Sequence, residues 1–75
     1  MTSAAADNRL EIVVNGQPRQ VAASTTLELL LRQLEIPQRG VAVEINGQIV
    51  PRARHAEQFF AGGERLEIVS LVGGG

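Results

Sequence analysis

The 75-residue sequence predicts an α+β fold: a mixed sheet of four to five strands packed on one main helix, with a flexible glycine tail at the C-terminus. Three observations carry that expectation. Asn-Gly dipeptides at 15–16 and 46–47 each follow a β-branched run, the strongest short-range signal for a hairpin. Between them, Leu27, Leu30, Leu31 and Leu34 recur at i, i+3, i+4 and i+7, the spacing of one apolar helix face. A strand-like stretch, Leu66-Glu67-Ile68-Val69-Ser70-Leu71-Val72, then leads directly into Gly73-Gly74-Gly75.

Residues 1–8 lack the basic and long apolar stretches of a secretory signal and are expected to be a short disordered lead-in. Leu10 to Val14 reads as the first strand, with Gln17 to Val21 returning after Asn15-Gly16. A two-residue turn puts Leu10, Ile12 and Val14 on the same face as Gln17, Arg19 and Val21. An inward Arg19 is costly. Either it lies at the sheet margin and extends its guanidinium to water, or the turn is longer than two residues.

Thr25 followed by Glu28 matches a capping box and is expected to open the helix. Each leucine of its stripe contributes about 1.5–3 kcal/mol when fully buried. Pro37 is expected to stop the helix, because the residue before proline avoids helical backbone. Val41, Val43 and Ile45 alternate with Ala42, Glu44 and Asn46, a half-buried strand. After the second Asn-Gly, Ile49-Val50 is a brief piece that Pro51 confines to an edge.

Arg52 to Phe60 predicts a loop with one short helical or 3₁₀ turn, broken by Gly62-Gly63. In the closing strand, the apolar residues facing away from the helix, either Val69 and Leu71 or Leu66 and Ile68, form an exposed patch of the kind that marks interfaces. Two hairpins around one helix, with a last strand able to pair in the middle, describe a β-grasp (ubiquitin-like) sheet. The expected organisation is a lead-in at 1–8, a β-grasp domain at 9–72 and a flexible tail at 73–75.

Composition narrows the chemistry. The chain has no cysteine, so no disulfide framework, thiolate zinc site or cysteine nucleophile, which fits a cytoplasmic setting. Net charge is −1, the seven arginines are scattered and the only aromatics are Phe59 and Phe60; nucleic acid is not an expected partner. No apolar run reaches membrane-spanning length. The glutamates are dispersed, with no metal-ligand cluster. The lone His55, beside Arg54 and Glu57, reads as a solvated loop residue without a nucleophile–base set. The chain is therefore expected not to be an enzyme, with neither catalytic nor metal-binding residues. Arg52 and Phe60 are the candidate partner contacts. Arg52 suits an acidic patch or simply terminates an edge strand. Phe59 and Phe60 cannot both face the core from an extended segment; the favoured reading is one core ring with the other as its satellite, and the alternative is an exposed ring that anchors a partner.

The tail is the remaining feature. Glycine has no Cβ, so it threads a slot too narrow for other residues. Four extended residues reach about 13–14 Å, enough to carry a carboxylate into another protein's active site while the body stays outside.

At this point the chain resembles the ThiS family, small ubiquitin-like sulfur carriers of thiamine biosynthesis. The resemblance covers residues 10–75 and rests on Val14-Asn15-Gly16, on Thr25-x-x-Glu28-Leu29-Leu30, on Val41-Ala42-Val43 through Asn46-Gly47 to Val50-Pro51-Arg52, and on the closing strand into Gly-Gly. The Val41–Arg52 stretch discriminates, since a Gly-Gly end is common to many ubiquitin-like proteins. Departures are the third glycine, Arg54-His55 and the lead-in.

The resemblance implies that Gly75 is the reacting terminus and that Gly73 and Gly74 thread the partner's channel. An E1-like adenylyltransferase would activate the Gly75 carboxylate with ATP, a persulfide donor would convert it to a thiocarboxylate, and thiazole synthase would receive the sulfur. No cofactor would be bound by the chain itself; ATP is used by the activating enzyme. The alternatives are a sulfur carrier for molybdopterin or cysteine synthesis (MoaD-like), a non-covalent β-grasp module, and a conjugated modifier, for which the chain offers no lysine for self-chains.

Overall fold

The computed structural model describes residues 8–71. Its elements are β1 (Arg9–Val14), β2 (Gln17–Ala22), helix α1 (Leu27–Gln33), β3 (Val41–Ile45), β4 (Gln48–Ile49), a 3₁₀ helix (Arg52–Glu57) and β5 (Arg65–Ser70). They form one five-stranded sheet in the order β2-β1-β5-β3-β4. The last strand lies at its centre, parallel to β1 and antiparallel to β3. This is the β-grasp arrangement expected from the order of elements.

Both hairpins close on two residues with positive φ: Asn15 at 49° and Gly16 at 85°, Asn46 at 51° and Gly47 at 85°. That backbone matches the right-handed twist of the strands it joins. The tight turn pairs Leu10 with Val21, Ile12 with Arg19 and Val14 with Gln17, so Arg19 does share the face of buried Ile12. It stays exposed because β2 is an edge strand, and it lines an open hollow with Leu34 and Ile36. The sheet-margin alternative is the one realised, by the snorkelling of a long side chain.

Helix α1 starts one residue later than the capping-box pattern suggests. Thr26, not Thr25, is the N-cap, and its side chain accepts from the Leu29 N–H at 3.2 Å. Thr26 is drawn into extended backbone by a bridge to Phe59, while Leu27 N–H donates to Gln58 O at 2.8 Å. Glu28 therefore does not close a box; its carboxylate lies 3.9 Å from Arg32 and accepts from Gln38 at 3.4 Å. The helix also ends before Pro37 can act. Glu35 takes a φ of 60°, and the Glu35 and Ile36 N–H groups return to Arg32 O and Leu31 O, a Schellman closure with glutamate where glycine is usual.

The core joins Leu27, Leu30 and Leu31 of α1 to Ile12, Val21, Val43, Ile45, Phe60 and Leu66. Leu34 and Ile68 pack at its margin. Leu66 and Ile68 therefore face the helix, and Val69 and Leu71 form the outward pair.

Candidate functional site

The end of β5 positions whatever follows it, so its anchoring is the first question. On the β1 side, Val13 N–H donates to Glu64 O at 2.9 Å and Asn15 N–H to Leu66 O at 2.8 Å. There β1 ends, because the chain turns at Asn15-Gly16. The Asn15 side chain continues the ladder: its Oδ1 accepts from Ile68 N–H at 2.7 Å and its Nδ2 donates to Ile68 O at 3.3 Å. On the β3 side the register runs to Val41 opposite Ser70, and Leu71 N–H donates to Gly40 O at 2.7 Å. Asn46 holds the start of the strand, accepting from Arg65 N–H at 3.0 Å through Oδ1 and donating its own N–H to Arg65 O at 2.8 Å.

A strand hydrogen-bonded on both flanks is a firm base for a tail, since the central position leaves it no free edge until its last residues. Gly73, Gly74 and Gly75 lie outside the described residues, as do residues 1–7. Among the described residues β5 runs to Ser70; Val72, the expected end of the strand, also lies outside them.

The other sequence-derived candidates are placed as follows. Arg52 opens the 3₁₀ helix just after Pro51 and is exposed. Phe60 is 8% exposed and belongs to the core, so it is not the available ring. Phe59 is, at 55%; its bridge to Thr26 fixes an extended backbone whose alternation sends Phe60 inward. His55 also departs from expectation. It is buried, with Nδ1 3.3 Å from Gln38 Oε1 and Nε2 3.2 Å from Val50 O. Both ring nitrogens are thus occupied in tying the 3₁₀ helix to the residue that follows β4 and to the loop after α1. Its burial has no local signal, because Arg54 and Ala56 beside it are exposed.

Among the described residues no group of three His, Cys, Asp or Glu side chains is arranged to hold a metal, and no helix is long and apolar enough to cross a membrane. Sequence reasoning missed the strand-holding roles of Asn15 and Asn46. The recurring Asn-Gly was their only trace, and it reads as turn chemistry alone.

Comparison with known proteins bears on this arrangement directly. The family model described as "ThiS family" matches residues 12–75. The sulfur carrier protein ThiS of Escherichia coli is 38% identical over 66 residues, covering 88% of this chain and 100% of that protein. A thiazole synthase of Paramagnetospirillum magneticum is 44% identical over 66 residues, again 88% of this chain but 20% of the relative. The chain thus spans a fifth of that relative's length. Among solved structures, the thiamine biosynthesis protein ThiS from Geobacter metallireducens superposes with a TM-score of 0.74 at 32% identity, covering 88% of this chain and all of that one. By sequence and by fold, then, the chain belongs to the ThiS family.

Proposed function

We propose that the chain is a protein sulfur carrier of thiamine biosynthesis, a co-substrate and not a catalyst. The observation that supports this reading best is the anchoring of β5. The domain fixes its last strand at the sheet centre and leads it straight into Val72-Gly73-Gly74-Gly75. The Escherichia coli protein matched over its full length bears the name of sulfur carrier.

The chemistry follows from the state of the Gly75 carboxylate. Free α-carboxyls ionise well below neutral pH, and a carboxylate anion is a poor electrophile. An E1-like adenylyltransferase supplies ATP; the carboxylate oxygen attacks the α-phosphate, pyrophosphate leaves, and an acyl adenylate forms. The terminal sulfur of a persulfide donor then attacks the Gly75 carbonyl and AMP departs. A thiol cleaves the resulting acyl disulfide, leaving the thiocarboxylate and a new disulfide. Thiazole synthase takes that sulfur. Gly73 and Gly74 lead the terminus through each partner's channel, where a Cβ would obstruct passage. The chain holds no cofactor of its own, and its reactions belong to the reducing, ATP-rich cytoplasm.

Intact mass tests the proposal. Incubation with ATP, the activating enzyme and a persulfide source is expected to exchange one oxygen for one sulfur at Gly75, and amidation of the Gly75 carboxylate is expected to abolish the exchange. Thiocarboxylation of the amidated chain would overturn the reading.

A further inference from the structure

His55 is a buried titratable side chain that the sulfur-carrier chemistry does not use. It is 1% exposed, and both ring nitrogens face oxygen atoms: Nδ1 lies 3.3 Å from Gln38 Oε1 and Nε2 3.2 Å from Val50 O. A backbone carbonyl only accepts, so Nε2 carries a proton. Neutral imidazole has one N–H and one lone pair, which sets the Nδ1 lone pair against the Gln38 oxygen. Turning the Gln38 amide over supplies a donor to Nδ1 but moves the conflict elsewhere. Gln38 Nε2 donates to Glu28 Oε2 at 3.4 Å, and the reversed amide aims its oxygen at that carboxylate.

Whichever way the amide points, a neutral ring combined with an ionised Glu28 leaves one acceptor facing another. Such a contact costs buried groups their solvation with no bond in return. One additional proton resolves the conflict. With Nδ1 and Nε2 both protonated, the series of Glu28 carboxylate, Gln38 amide, His55 ring and Val50 carbonyl has a donor opposite every acceptor.

The surrounding charges supply no rival partner. Helix α1 is the element packed against the 3₁₀ helix. Its charged residues are Glu28 and Arg32, which lie 3.9 Å apart. Arg52, Arg54 and Glu57 on the 3₁₀ helix are exposed, as are Glu35 and Arg39 in the loop that carries Gln38. Among the described residues no carboxylate pairs with the ring directly, so Glu28 reaches it only through Gln38.

We propose that Glu28, Gln38 and His55 form a proton-operated latch. In the closed form an imidazolium donates to Gln38 Oε1 and Val50 O. Loss of the Nδ1 proton turns the Gln38 amide over and parts it from Glu28, whose side chain is 34% exposed and takes water in its place. The latch joins α1 to the 3₁₀ helix that carries Arg52, and it goes beyond the sulfur-carrier reading without depending on it. Histidine suits the task, as its ordinary titration falls between about pH 5 and 8.

Nuclear magnetic resonance of the full-length, nitrogen-15-labelled chain across about pH 5 to 8 tests the latch. The His55 Nδ1 signal is expected to pass from protonated to unprotonated as pH rises, with Nε2 protonated throughout. The Gln38 side-chain amide is expected to shift with the same midpoint. In Glu28→Gln the new amide donates to a reversed Gln38, so the open form loses its conflict and the transition is expected about one pH unit lower. His55→Phe is expected to abolish the pH response of the Gln38 amide. Because Glu28 is only half-buried, Glu28→Gln decides the matter even where His55→Phe fails to fold. A ring that keeps one proton, or two, across the whole range overturns the proposal. So does a Gln38 amide indifferent to the His55 titration, or a transition that Glu28→Gln leaves in place.

Discussion

The two Asn-Gly turns are nearly identical locally and unlike in what they hold. Asn15 and Asn46 have φ values of 49° and 51°, each is followed by a glycine at 85°, and each donates its backbone N–H to a carbonyl of β5 at 2.8 Å. Their side chains diverge. Asn46 closes on Arg65, the same residue its backbone contacts, at the start of β5. Asn15 reaches past its backbone contact at Leu66 to bind both polar groups of Ile68. The cause is strand direction. Because β1 runs parallel to β5 and ends first, β5 outlasts it, and the Asn15 amide stands in for the missing rung. One turn secures the incoming end of the last strand and the other its outgoing end.

The largest effect is therefore expected at Asn15. Asn15→Ala loses two side-chain hydrogen bonds, each contributing about 0.5–1.5 kcal/mol, and forces alanine into left-handed backbone at about 1–2 kcal/mol. Because the site is exposed, the sum should fall near 2–3 kcal/mol in urea unfolding. Asn46→Ala loses one side-chain bond and carries the same backbone penalty, so about 1.5–2 kcal/mol is expected. Equal losses at the two positions would show that the second Asn15 bond contributes nothing.

Glycine substitutions separate the turn from the clamp. Asn15→Gly keeps the backbone conformation accessible and removes only the amide. Amide hydrogen exchange is expected to accelerate at Ile68 and not at Arg65, with the reverse in Asn46→Gly. On the proposed sulfur-carrier reading, fraying near Ile68 is also expected to slow thiocarboxylation in the Asn15 variant, because the later half of β5 is no longer held on its β1 side. Exchange that rises at both amides in either variant would mean that β5 responds as a unit and that the division between its two ends is false.

The same contrast explains how much was legible in the sequence. Dipeptide chemistry and the leucine period are local, and they specify both hairpins, the helix face and the place of β5. The partner of Asn15 is 53 residues away, beyond any local pattern. Thr25 looked like the cap because Thr-x-x-Glu is a local motif; the bridge from Thr26 to Phe59 displaced it. The burial of His55 is likewise non-local, since its partners Gln38 and Val50 come from two other segments. Phe60 and Phe59 were interchangeable until that same bridge set their alternation. The glycine tail is the most conspicuous part of the sequence and lies outside the described residues.

The smallest expected difference lies at the glycines themselves. A Cβ added at Gly16 or Gly47 meets nothing within 4 Å, and both have a φ of 85°. With no steric neighbour to distinguish them, Gly16→Ala and Gly47→Ala should each cost about 1 kcal/mol through backbone strain alone, and the two costs should agree within about 0.5 kcal/mol. This is the control for the asparagine comparison. If the glycines differ by as much as the asparagines do, the asymmetry belongs to the hairpins as whole units, a long first hairpin against a β4 of only two residues, and not to the side-chain amides. If they agree, the extra loss at Asn15 is assigned to its two bonds with Ile68.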